Sequence, residues 1–170
     1  MYKDMERIIS FIAGLFIFLQ LFFTARPFPI SFNNLHVKVE YVIDGDTIVI
    51  EGGKKVRYIG INTSEIIYPT PGGNPLFECY AKEAKQENEK LVLGKTVRLV
   101  KDVSDTDKYG RLLRYVYVDN LFVNDYMVKH GYAKTMMIKP DTAYFQVFNN
   151  SQNEAKIKKI GLWLSCQKNN

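Results

Sequence analysis

Two aspartates flank a glycine at Asp44-Gly45-Asp46, directly ahead of the β-branched run Thr47-Ile48-Val49-Ile50. Carboxylates on a tight turn entering a strand offer oxygen donors from a fixed stretch of backbone, which suits a hard divalent cation. The same tripeptide also makes ordinary turns. It is not an EF-hand loop, because Ile48 and Val49 stand where that loop needs a ligand and a glycine. Arg57 lies at the centre of a stretch that otherwise reads as a buried strand, and a charge there requires a partner or a binding site. Ion pairing with Glu65 is one way to satisfy it, an anionic ligand another. Asn62-Thr63-Ser64-Glu65 follows, oxygen-rich and directly after the strand. Farther on, Asp107-Lys108-Tyr109-Gly110-Arg111 places a second arginine on a turn between strands.

The combination is far more specific than any part. The stretches Ile43-Asp44-Gly45-Asp46-Thr47, Arg57-Tyr58-Ile59-Gly60-Ile61-Asn62-Thr63-Ser64-Glu65 and Asp107-Lys108-Tyr109-Gly110-Arg111 resemble, in order and spacing, the staphylococcal nuclease (thermonuclease) family, as does Val123-Asn124 opening a later helix. The resemblance covers about residues 37–165. It implies a five-stranded OB-type barrel with three helices and a calcium-dependent phosphodiesterase that cleaves DNA and RNA at the 5′ P–O bond, leaving 3′-phosphate ends. Carried over position by position, it implies that Asp46 ligates Ca²⁺ through its carboxylate, that Asn62 holds a second ligand position, and that Thr63 lends its backbone carbonyl. Glu65 would act as general base or orient the attacking water, and Arg57 and Arg111 would clamp the scissile phosphate. Lys108 and Tyr109 would contact the substrate, Tyr109 by stacking on a base or, alternatively, simply by packing against the protein.

Physical chemistry agrees with these roles. Charge builds on the non-bridging oxygens during phosphodiester cleavage, so a hard cation and two guanidiniums give preorganised stabilisation. The arginine fork matches two phosphate oxygens and does not lose its proton. Departures from the family pattern are local. Asn62 replaces the usual Asp and removes one negative charge from the metal site, and Ser64 replaces the usual Pro before the glutamate. After Tyr132-Ala133-Lys134 the family's nucleotide-stacking tyrosines have no counterpart, and Met136, Met137 and Ile138 stand there instead. A rival reading is a non-catalytic nucleic-acid-binding OB module with a degenerate metal site, but such a module has no need of Glu65. A membrane-tethered module for partner proteins would leave Asp46, Arg57, Glu65 and Arg111 unexplained.

The elements that must position these residues follow from periodicity. Val37, Val39 and Tyr41 alternate with polar residues, Thr47–Ile50 is β-branched, Gly52-Gly53 marks a hairpin, and Val56–Ile59 returns. Residues 68–75 form a Pro/Gly-rich loop. A helix is predicted over 78–93, ended by Gly94, then strands over 96–100 and 113–118, a short helix over 123–130 and a last helix over 144–159. Five short strands with helices outside give an α+β, mainly β fold, and an OB-type barrel fits the strand count.

Composition bounds the rest. The chain has 170 residues with 46% hydrophobic and 24% charged side chains, which excludes a disordered or low-complexity chain. A mean hydropathy of −0.17 excludes a polytopic membrane protein. The net charge of +5 suits a polyanionic partner. Two cysteines and two histidines, none close together, are too few for a Cys/His zinc site. Residues 8–25 carry no charge and are dominated by Ile, Leu and Phe, behind a short charged segment. As a helix they would reach ~27 Å, enough to cross a thin bilayer. Residues 1–25 therefore read as a cleaved signal or an uncleaved membrane anchor, and both place the remainder outside the cytoplasm. Residues 26–35 read as a linker, 36–166 as the folded domain, expected to be monomeric, and 167–170 as a tail. Cys79 and Cys166 both fall in the exported part, where oxidation is favoured, and are expected to pair.

Overall fold

The apolar alternation that begins at Val37 builds the first and longest strand of a barrel. The computed structural model describes residues 34–70 and 72–166. Its first half contains β1 (Asn34–Val42), β2 (Thr47–Ile50), β3 (Lys54–Tyr58), β4 (Ile61–Thr63), β5 (Ile66–Ile67), β6 (Leu76–Phe77) and α1 (Ala81–Val92). Its second half contains β7 (Thr96–Val100), β8 (Leu112–Val118), β9 (Leu121–Phe122), α2 (Val123–Lys129), β10 (Ala133–Thr135), α3 (Phe145–Ile157) and α4 (Leu162–Ser165). The N-terminal apolar run, most of the segment read as a linker and residues 167–170 lie outside the described residues. Among the described residues no helix is long and apolar enough to cross a membrane.

β1 is shared by both halves of the barrel. Its start pairs antiparallel with β7, from Asn34↔Val100 to Lys38↔Thr96, and its end pairs with β2, from Val39↔Ile50 to Val42↔Ile48. The register shifts between Val39 and Tyr41, leaving Glu40 as the extra residue of a bulge, and a bulge gives a strand the bend it needs to serve two sheets. β2 pairs with β3 across the turn holding Gly52 and Gly53, both at positive φ (84° and 75°) as a tight hairpin requires. β7 pairs antiparallel with β8, and β8 closes on β3 in parallel through Val56↔Leu112, Arg57↔Leu113 and Tyr58↔Arg114. The closed barrel is thus β1-β2-β3-β8-β7, five strands in an OB-like α+β arrangement.

Val39, Ile48, Val56, Leu99 and Val116 fill the interior, and Phe148 of α3 seals one side; all are fully buried. Two buried asparagines fasten helices to the barrel. Asn88 of α1 accepts from the Tyr58 hydroxyl at 2.9 Å and donates to the carbonyl of Asp44 at 3.0 Å. Burial pushes the Tyr58 phenol upward, so it keeps the proton that it donates. Asn124 of α2 accepts from the Val116 N–H at 2.8 Å and donates to the Ile59 carbonyl at 2.9 Å, spanning the seam between β8 and the end of β3.

The expected strands and helices are present, with shifted ends. The first helix begins at Ala81 because Tyr80 is left-handed, with φ of 70°. Among the described residues there are four helices where three were expected, the additional one being the four-residue α4 after Gly161. The small ribbons β5–β6 and β4–β10 carry no readable periodicity, since two or three residues are too few to show one. Cys79 and Cys166 form a disulfide between the approach to α1 and the end of α4, with Cα atoms 5.8 Å apart.

Replacing Asn124 by Ala leaves a buried N–H and a buried C=O without partners. Unfolding free energy should fall by about 2–5 kcal/mol, measured by urea denaturation.

Candidate active site

The Asp44-Gly45-Asp46 turn is held from both sides. Asp44 Oδ1 accepts the Asp46 N–H at 2.9 Å, and the Asp46 carbonyl accepts the Tyr58 N–H at 2.9 Å. Gly45 lets the turn lie directly on its neighbours: a Cβ there would stand 2.6 Å from Cγ2 of Thr63 and 2.8 Å from Cβ of Ala84. This close approach brings the Asp46 carboxylate onto β4. Its Oδ2 accepts the Thr63 N–H at 2.7 Å and the Thr63 hydroxyl at 3.1 Å. Its Oδ1 meets Nη1 of Arg57 at 2.9 Å and accepts from the Thr47 hydroxyl at 3.2 Å. Asp46 is 4% exposed and Arg57 7%, so the ion pair is buried. Burial drives the Asp46 carboxyl upward, against the pull of Arg57 and the Thr63 donors.

Arg57 is the penultimate residue of β3, opposite Thr47 of β2 and Leu113 of β8, and not at the strand centre. Besides Asp46 its guanidinium donates to Asn62 Oδ1 at 2.8 Å and to the Tyr58 carbonyl at 3.1 Å. The carboxylate with which it pairs is therefore Asp46 and not Glu65. Asn62 and Thr63 sit on β4, which β10 holds in register through Lys134↔Asn62 and Ala133↔Thr63. Asn62 Nδ2 donates to the Thr63 carbonyl at 3.3 Å. Glu65 follows β4 and is gripped through its backbone: its N–H donates to the Glu78 carboxylate at 2.9 Å, and its carbonyl accepts the Glu78 N–H at 3.1 Å. Partial burial and the charges of Asp44 and Glu78 raise the Glu65 carboxyl above the ordinary range, opposed by Arg57 and Arg111.

Arg111 is organised locally. Asp107 Oδ1 accepts the N–H groups of Tyr109 and Arg111 at 2.9 and 3.0 Å, and Oδ2 accepts Nε of Arg111 at 2.7 Å. Burial would raise the Asp107 carboxyl, but the Arg111 side chain and these N–H donors outweigh it and hold it below the usual range. Among the described residues the two terminal nitrogens of Arg111 have no acceptor. Tyr109 does not pack: it is 71% exposed, with Lys108 Nζ and Arg111 Cζ 5.0 and 5.5 Å from its ring centroid.

A cleft of about 260 Å³ is lined by the polar side chains of Arg57, Asn62, Glu65, Asp107, Arg111 and Asp141 and by the apolar ones of Leu113, Met136 and Ile138. Asp46 and Thr63 lie behind Arg57 and do not line it, and Lys108 and Tyr109 stand outside its lining. Among the described residues no cluster of three or more His, Cys, Asp or Glu is placed to hold a metal. The available donors are of a different kind, namely one buried carboxylate, the Asn62 amide oxygen and a backbone carbonyl. All are oxygens, which suits calcium, and Asp46 Oδ1 and Asn62 Oδ1 already converge on one cation, the guanidinium of Arg57. Sequence reasoning assigned no role to Asp107 or Glu78. The i,i+4 spacing of Asp107 and Arg111 carried a signal for the first, whereas Glu78 is separated from Glu65 by a loop and carried none.

A family profile described as staphylococcal nuclease homologue matches residues 55–165, from within β3 to the end of α4. The chain is 39% identical over 134 residues to endonuclease YncB of Bacillus subtilis (strain 168), covering 76% of this chain and 62% of that protein. It is 36% identical over 132 residues to the SPbeta prophage-derived endonuclease YokF of the same organism, covering 75% of this chain and 43% of that protein. Against the thermonuclease of Staphylococcus intermedius the identity is 34% over 128 residues, covering 74% of each chain. The chain thus spans less than two thirds of the two Bacillus proteins.

Gly45→Ala forces the added methyl against Thr63 and Ala84. It should cost about 1–3 kcal/mol of stability and speed hydrogen exchange at the Thr63 amide, seen in a thermal melt and by NMR.

Proposed function

The chain belongs to the staphylococcal nuclease family, and we propose that it is an exported nuclease that hydrolyses phosphodiester bonds of DNA and RNA with the help of calcium. The observation that carries this reading is the convergence of Arg57, Asn62, Glu65 and Arg111 on one cleft, with Asp46 fixed behind Arg57. A binding module would use the arginines but would have no use for a carboxylate with a raised pKa facing the same space.

In this reading the terminal nitrogens of Arg111 take one pair of phosphate oxygens, and Arg57 supports the phosphate from the barrel side. Glu65 accepts the proton of the attacking water as its oxygen closes on phosphorus. The bond to the 5′ oxygen breaks, its electron pair stays on that oxygen, and the oxygen takes a proton from solvent, leaving a 3′-phosphate and a free 5′-hydroxyl. Calcium, held by Asp46, Asn62 and the Thr63 carbonyl, would supply further positive charge against the charge developing on the phosphate. The exposed Tyr109, flanked by Lys108, offers a nucleobase a face at the edge of the cleft. The apolar segment of residues 8–25 supports an extracytoplasmic location, secreted or tethered to the membrane, and the domain acts as a monomer.

Single-stranded DNA should be digested with calcium present and left intact with chelator. Glu65→Gln and Arg111→Ala should each lower kcat by about 10²–10³-fold, in a fluorogenic cleavage assay. Retained DNA binding by the unaltered protein with no cleavage would establish the non-catalytic module instead.

Asn62→Asp restores a negative charge beside Asp46 and should tighten calcium binding about tenfold in a calorimetric titration. Unchanged affinity would remove Asn62 from the ligand set.

A further inference from the structure

Glu65 is attached to the protein in an unusual way. Arg57 is fixed by a buried ion pair and Arg111 by its own turn, but Glu65 lies beyond β4, at the base of the β5–β6 ribbon. That ribbon has two residues per strand, paired as Ile66↔Phe77 and Ile67↔Leu76. Its side chains bury little: Ile67, Leu76 and Phe77 are 47%, 59% and 48% exposed. So short and exposed a ribbon has no core of its own to hold it in place.

What holds its base is Glu78. The Glu78 carboxylate takes the Glu65 N–H at 2.9 Å, and the Glu78 N–H reaches the Glu65 carbonyl at 3.1 Å. Both bonds are exposed to water, which competes for the same groups. The next residue, Cys79, is covalently joined to Cys166. Cys166 ends α4, and α4 is tied to the body of the fold: Leu162 is buried, and its N–H donates to the Gly131 carbonyl at 2.9 Å. Gly131 and Gly161 pack backbone against backbone, leaving no room for a side chain at either position. A continuous path of fixed bonds therefore runs from the interior through Leu162, Cys166, Cys79 and Glu78 to Glu65.

We propose that Glu78 is a positioning residue for Glu65, and that the Cys79–Cys166 disulfide is the tether that keeps Glu78 in place. This rests on the reading of Glu65 as the base, since its orientation matters for rate only if it acts on the attacking water. Geometry at the reacting centre governs kcat, so the tether should affect turnover more than substrate affinity.

The test uses the full chain with saturating calcium and single-stranded DNA. It compares Glu78→Ala, Glu78→Gln and the double variant C79S/C166S with the unaltered protein. Glu78→Ala and C79S/C166S are expected to lose about tenfold in kcat with KM changed less than about twofold. Glu78→Gln keeps an acceptor oxygen and should retain most of the rate. Amide hydrogen exchange gives a readout independent of catalysis: the Glu65 N–H should exchange at least about tenfold faster in Glu78→Ala and C79S/C166S, while Val116 in the barrel stays protected. Unchanged exchange at Glu65, or a loss confined to KM, overturns the proposal. Loss of protection throughout the barrel in C79S/C166S overturns the disulfide as a local tether, and Glu78→Ala then decides the role of Glu78 with the disulfide intact. If the unaltered protein cleaves nothing, the proposed activity fails on its own, while Glu65 exchange still reports whether the tether exists.

Discussion

A carboxylate and a guanidinium withdrawn from water, Asp46 and Arg57, face each other at 2.9 Å, and much of the site is built on that contact. Neither charge is tolerable at such depth without the other, because the penalty for burying an unpaired ion exceeds what ordinary packing returns. Each partner also holds another part of the structure. Asp46 accepts both donors of Thr63 and so fixes β4 against the turn that enters β2. Arg57 reaches Asn62 and so fixes the preceding residue of β4 against β3. One buried pair thereby sets the relative positions of three strands and of the two Asn62 and Thr63 oxygens proposed to bind calcium.

The second arginine is controlled by different physics. Arg111 is organised within its own turn by Asp107, which orients the Nε side and leaves the fork end without an acceptor among the described residues. Arg57 is held by long-range partners and Arg111 by a residue four positions away, so the two positive groups reach the cleft with unequal freedom. The barrel closure of β8 on β3 places both on one surface, because Arg57↔Leu113 is a paired position two residues beyond Arg111. Met136 and Ile138 line the same cleft and add apolar contact without an aromatic ring. In the proposed activity the chemistry rests on the polar groups of the cleft, and Tyr109, 71% exposed, stands outside its lining.

Much of this was legible in the residue order. Alternation at Val37, Val39 and Tyr41, the Gly52-Gly53 turn, and a charge stranded within an apolar run at Arg57 are local signals, and local signals survive without tertiary context. The element ends were less legible: Tyr80 adopts a left-handed conformation that delays the first helix to Ala81. The ribbons β5–β6 and β4–β10 were invisible for a simpler reason, since a period cannot be read from two or three residues.

What the residues determined by themselves was the inventory and its chemistry: oxygen donors at Asp46, Asn62 and Thr63, a carboxylate at Glu65, guanidiniums at Arg57 and Arg111, and an apolar run at the start of the chain. Composition and spacing carry such information because side-chain chemistry does not depend on the fold. Pairing was decided by tertiary structure alone. Arg57 had both Asp46 and Glu65 within sequence reach, and only the strand register shows that Asp46 is its partner while Glu65 is gripped by Glu78. Those contacts arise from barrel closure and from a ribbon joined across a loop. Both bring together residues whose separation along the chain says nothing about their distance in space.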